Sequence, residues 1–90
     1  MAARLPELAD RLDAEVKGPW QELRDTLMIT EIEELAAQVQ SLGREYGYAP
    51  LTAWGNQLQE QASLFQLDAL PGTLERFPGL VEEIRERAQG

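Results

Sequence analysis

The side chains in this sequence that could do chemistry are almost all carboxylates. Its ninety residues include no histidine and no cysteine, which removes imidazole acid–base catalysis, thiolate nucleophiles and zinc–sulfur ligation. Carboxylates are plentiful but poorly arranged for catalysis. Glu31, Glu33 and Glu34 fall where a helix begins, and there anionic side chains answer the helix dipole. Glu82, Glu83 and Glu86 read as one solvated helix face, with Glu82 and Glu86 a mildly repulsive pair four residues apart. A carboxylate-bridged di-iron bundle needs Glu-x-x-His pairs, and no histidine is present to complete one. The glycines of the stretch Ser41–Tyr48 follow no strand, so they form no phosphate cradle. We therefore expect no catalytic residues, no metal site and no cofactor, and a product that is a surface, not a reaction.

The aromatic residues are the next candidates. Trp20, Trp54, Phe65 and Phe77 are each in phase with an apolar stripe and are expected in the core. Tyr48, in a connector beside Pro50, is the aromatic expected at the surface, and Tyr46 fits either place.

These groups must be positioned by helices. Leu5, Leu8, Leu12, Val16, Trp20, Leu23 and Leu27 recur at steps of three and four, which is one face of a long helix. Gly18-Pro19 should kink it without turning it. A second helix should open at Thr30 as N-cap, with Glu33 completing a capping box and Ile29 acting as a hydrophobic staple. Its stripe is Ile32, Leu35, Val39, Leu42 and Tyr46; Gly43 weakens it and Gly47 stops it. Pro50 should start a third helix with Leu51, Trp54, Leu58, Ala62 and Phe65 inward and Gly55 marking a close helix–helix approach. The fourth carries Leu67, Leu70, Leu74, Phe77, Leu80, Val81 and Ile84 from an N-cap at Asp68, with a kink or break before Pro78. Short connections imply antiparallel neighbours. The expected architecture is all-α: a single domain over residues 1–90, folded as an antiparallel up-down four-helix bundle.

Composition bounds the partners. Sixteen acidic and eight basic side chains leave a net charge of −8, with no cationic stripe for nucleic acid or an anionic membrane surface. The start, Met1 to Pro6, lacks an apolar leader core, and no run approaches the roughly 20 apolar residues that span a bilayer. A cytoplasmic chain is expected, either free-standing or a piece of a longer protein.

From Ile29 to Ile84 the residues carry a set of spaced cues. They are Ile29 with Ile32, Leu42-Gly43 with Tyr46, Leu58 with Ala62 and Phe65, and Leu74 with Phe77-Pro78 and Leu80-Val81. This pattern resembles the helical module at the C-terminus of hybrid sensor histidine kinases, and is similar to histidine-containing phosphotransfer domains. The resemblance implies a four-helix bundle working in two-component signalling. Aligning Gly47 and Leu51 on that family's motif places Ala37 where the phospho-accepting histidine stands, Gln40 in place of a lysine and Ser41 in place of a glycine. Neither alanine nor glutamine can form a phosphoramidate, so the resemblance implies a module that docks without transferring phosphate. Its receiver-facing surface would be Ala37, Gln38, Gln40, Ser41 and Arg44, with Gln57 and Gln61 from the third helix. The implied partner is a receiver or kinase domain in the same chain or another, with the module itself monomeric. The alternative is a homo-oligomerising bundle that pairs through a Leu64/Leu67/Leu70 edge or the first helix around Trp20. A less favoured third reading is an acidic inhibitor of a basic enzyme.

Overall fold

The computed structural model describes residues 5–89, so the expectation for Met1–Arg4 lies outside the described residues. Among these, every regular element is helical: α1 (Leu5–Arg11), a π segment (Leu12–Val16), α2 (Lys17–Thr26), α3 (Ile29–Glu45), α4 (Ala49–Ser63), α5 (Leu70–Leu74) and α6 (Phe77–Gln89). They pack into a body of 37 × 19 × 18 Å.

The first helix runs from Leu5 to Thr26 without a corner, and its departure from α geometry lies upstream of the Gly18-Pro19 pair. The Lys17 N–H bonds the Leu12 carbonyl, five residues back. That wide turn comes where the ring of Pro19 would crowd the Glu15 carbonyl of a uniform α-helix. The apolar face survives: Leu8, Leu12 and Val16 are fully buried, and Trp20 and Leu23 nearly so. This helix belongs to the core. It packs along α6, where Arg85 binds Asp13 and Trp20 meets Phe77 at 5.0 Å between ring centroids.

Two expected caps are not used. α3 begins at Ile29, with Met28 in the N-cap position and no side-chain cap. Ile29 packs against the core, and its docking draws the helix start ahead of Thr30. Glu33 is then free of a capping box and accepts a hydrogen bond from the Ser63 hydroxyl at 3.2 Å. Likewise α5 starts after Ala69, leaving Asp68 exposed in the preceding turn. The fourth segment divides at Glu75-Arg76, and Pro78 lies in the first turn of α6, where its missing N–H leaves no carbonyl unpaired.

Two glycines set the spacing of α3 and α4. A Cβ on Gly43 would stand 2.7 Å from the backbone nitrogen of Thr52, and one on Gly55 would stand 3.0 Å from the Ala36 carbonyl oxygen. The contacts pair rising numbers on α3 with falling numbers on α4: Glu33 with Ser63, Gln40 with Gln59, Gly43 with Thr52.

The short α5 is held by the two tryptophans. The indole of Trp54 donates to the Thr73 carbonyl at 2.7 Å and that of Trp20 to the Leu74 carbonyl at 2.6 Å. Both carbonyls lie at the end of a helix; that of Thr73 also accepts from the Arg76 N–H at 3.2 Å, and the indoles complete the cap of α5 from inside the core. Phe77 lies against both rings, 5.0 Å from Trp20 and 5.7 Å from Trp54.

Candidate functional site

The seven residues expected on one docking face do not share one. Ala37, Ser41 and Arg44 are exposed along the outward side of α3. Gln38 is half-buried and turned toward the first helix, in a cleft with Pro19, Glu22 and Leu35. Gln40 is only 8% exposed, and its amide donates to the Gln59 side chain at 2.7 Å inside the α3–α4 contact. Gln57 accepts from the Arg76 guanidinium at 3.1 Å, on the edge of α4 toward α5, while the buried Oε1 of Gln61 has no partner. Helical phase explains the division. Gln57 and Gln61 are four residues apart on the flank of α4 that carries Trp54, whereas α3 packs on the flank that carries Gly55.

Where the C-terminal end of α3 meets α4 the structure instead assembles a shallow trough of about 390 Å³, lined by Arg44 but not by Ala37 or Ser41. Its floor and walls are Gly43, Gly47, Ala49, Thr52, Ala53 and Asn56, with Arg44 as the single charge. The trough exists because both helices carry small residues where they approach. Sequence reasoning missed Ala53 and Asn56, which helical phase places on the same outward side of α4.

Phe65 is the largest departure from expectation. Instead of completing the α4 stripe, its side chain is 69% exposed and its backbone is left-handed at φ 55°. The helix has ended: the Gln66 N–H bonds the Gln61 carbonyl at 2.9 Å and the Phe65 N–H bonds the Ala62 carbonyl at 3.1 Å. This is a Schellman closure, whose left-handed position is ordinarily glycine. α3 closes in the same way with glycine there, Gly47 at φ 65°, with the Tyr48 N–H on the Gly43 carbonyl and the Gly47 N–H on the Arg44 carbonyl. Leu64 and Leu67 flank Phe65 at 60% and 49% exposure, so Leu67 also leaves its expected core place, whereas Leu70 is fully buried. Met28, 53% exposed, precedes α3 at the same end, because Ser63 and Glu33 hydrogen-bond across the two helices.

Tyr48, expected outside, is buried at 6% exposure. The Schellman turn at Gly47 directs it inward, and its hydroxyl lies near Glu83 and Arg87 without a hydrogen bond of normal geometry. Burial first, then the nearby Glu83 carboxylate, raises its ionisation above the usual tyrosine value, with Arg87 opposing. Tyr46 is half-buried; its hydroxyl donates to Glu7 at 2.6 Å, and its ring faces Arg11. Arg11 also binds Glu15 and Glu45. Its hydrogen bonds hold the Glu15 carboxyl below the ordinary carboxylate range.

A third feature is a cavity of about 250 Å³ between the first helix and α6, with Trp20, Phe77, Pro78 and Val81 inside and Asp13, Lys17, Glu82 and Arg85 around it. Among the described residues, no group of acidic side chains is arranged to hold a metal ion, and no helix is long and apolar enough to cross a membrane. Comparisons with protein-family models, with curated proteins and with solved structures find no match to this chain.

Proposed function

We propose that this chain is a non-catalytic docking module of two-component signalling. On this reading it is a phosphotransfer-like bundle without the histidine, closed as an antiparallel up-down arrangement with its first helix kinked near Gly18-Pro19, just after the π segment, and its last kinked or broken near Pro78. The observation that carries it is the outward face of α3. Ala37 and Ser41 are exposed there in helical phase with Arg44, the one guanidinium in the trough of small side chains at the end of that helix. Small residues let a partner helix come close, and a nearly neutral trough selects by shape. The partner is a receiver or kinase domain. The site is narrower than the sequence alone implies: Ala37, Ser41 and Arg44 with Ala53 and Asn56, without Gln38, Gln40, Gln57 or Gln61. With alanine at position 37 and glutamine at position 40, the module binds and passes no phosphoryl group.

The test is titration calorimetry of the purified chain against receiver domains. Ala37→Arg and Ser41→Arg should abolish binding without disturbing folding, since both positions are exposed. Unchanged affinity in both variants rejects the face. Radiolabel passing from a phosphorylated receiver onto the chain would reject the whole reading.

A second reading, self-association, draws on the exposed Leu64 and Leu67. It predicts a dimer by light scattering at micromolar concentration, where the docking reading predicts a monomer.

A further inference from the structure

The end of the bundle formed by the α4–α5 connector breaks a local rule with no gain in packing. A bulky side chain occupies a left-handed closure at Phe65, where glycine would be free of strain, and that side chain is then held out in water beside Leu64, Leu67 and Met28. Leu27, at the other connector of this end, is left-handed as well, at φ 50°. Strain and exposed apolar surface have a stabilising counterpart only when something covers them.

What covers this end follows from area and charge. A stable dimer buries about 800 Å² on each copy, some 20–30 residues a side, and four apolar side chains fall well short of that. Two copies would each bring a net charge of −8. Exposed carboxylates accompany these side chains along the chain: Asp25 and Glu31 lie three residues either side of Met28, Glu60 one helical turn before Leu64, and Asp68 next to Leu67. Arg24, four residues before Met28, is stacked on the Trp20 ring at 4.8 Å. We infer that this end is a second docking surface, separate from the α3 face, and that it takes a basic amphipathic helix from a protein partner. The partner's apolar stripe would seat on Leu64, Phe65 and Leu67, and its lysines and arginines would meet these carboxylates. The same carboxylates turn away an anionic membrane.

The experiment uses the full chain and two labelled synthetic peptides of about 15 residues, long enough to form a helix on binding. Both carry leucines at helical spacing; one has lysine and arginine at the remaining positions, the other glutamate. Fluorescence anisotropy should show the basic peptide binding and the acidic one not, with affinity falling steeply as salt rises. Phe65→Gly removes the ring and relieves the backbone, so the chain stays folded while affinity falls about tenfold or more, as for a buried aromatic anchor. Ala37→Arg should leave this binding unchanged, which separates its failure from failure of the α3 face. Equal binding of both peptides, or basic-peptide binding indifferent to Phe65→Gly, overturns the inference. So does a dimer that Phe65→Gly dissolves, since a second copy would then be the occupant.

Discussion

At the scale of single residues, positions 65 and 48 carry opposite lessons. Phe65 holds a conformation that a side chain resists and buries little in return. Phe65→Gly should therefore raise stability by up to about 1 kcal/mol, read from denaturant melts, while weakening partner capture. Lower stability would mean that the ring makes contacts its exposure does not reveal. Tyr48 is buried well, but its hydroxyl is not paired. Tyr48→Phe should be neutral or stabilising, because an unpaired buried hydroxyl is penalised by about 1–3 kcal/mol. Its pH dependence has a definite sign. Ionisation is harder in the folded state than in the unfolded one, where the ordinary value is 10.0. The neutral tyrosine's contribution is thus complete below that value and is lost as pH rises through the elevated folded one. The alkaline limb of the stability curve should be shallower in Tyr48→Phe.

At the scale of elements, α5 is too short to sustain itself and depends on its neighbours. A helix of five residues cannot satisfy its own end carbonyls. The indoles of Trp20 and Trp54 do so from two other helices. Trp54→Phe should destabilise by about 0.5–1.5 kcal/mol for the hydrogen bond lost, since the Arg76 N–H still reaches the Thr73 carbonyl at 3.2 Å. Amide exchange should show the loss concentrated in α5 and the start of α6; a uniform loss would assign the indole to bulk packing alone. The α3–α4 contact depends on the absence of side chains. Gly55→Ala places a methyl 2.8 Å from the Gln40 Cγ and 3.0 Å from the Ala36 carbonyl. Thermal melts should record a loss of about 1–3 kcal/mol despite alanine's better helix propensity. By contrast, the exposed ion pairs of Arg11 contribute little, and Arg11→Ala should leave the thermal melt nearly unchanged.

At the scale of the whole molecule, the first helix is a structural member and not a linker. Leu8, Leu12 and Val16 are fully buried, and α1 lies along α6. A chain beginning at Lys17 should lose its cooperative melt, because removing these buried side chains strips the core packed against α6. An intact melt would place the first helix outside the core.

Helical periodicity made the helices legible, with their inward stripes and the close approach at Gly55. Burial of an apolar face is decided within each helix by spacing that any chain fragment already contains. The Gly47 stop was readable for the same reason: left-handed closure favours glycine locally, whatever surrounds it. Tertiary structure decided the rest. Only the packed neighbours determine that Ile29 docks and displaces the Thr30 cap, and that Gln40 turns toward Gln59. They also determine that the indoles finish α5 and that Phe65, in perfect phase with its stripe, falls two residues beyond the last residue of the helix that would have buried it. The stripe records which side chains prefer to leave water; the number of helix faces available to cover them is a property of the assembled bundle.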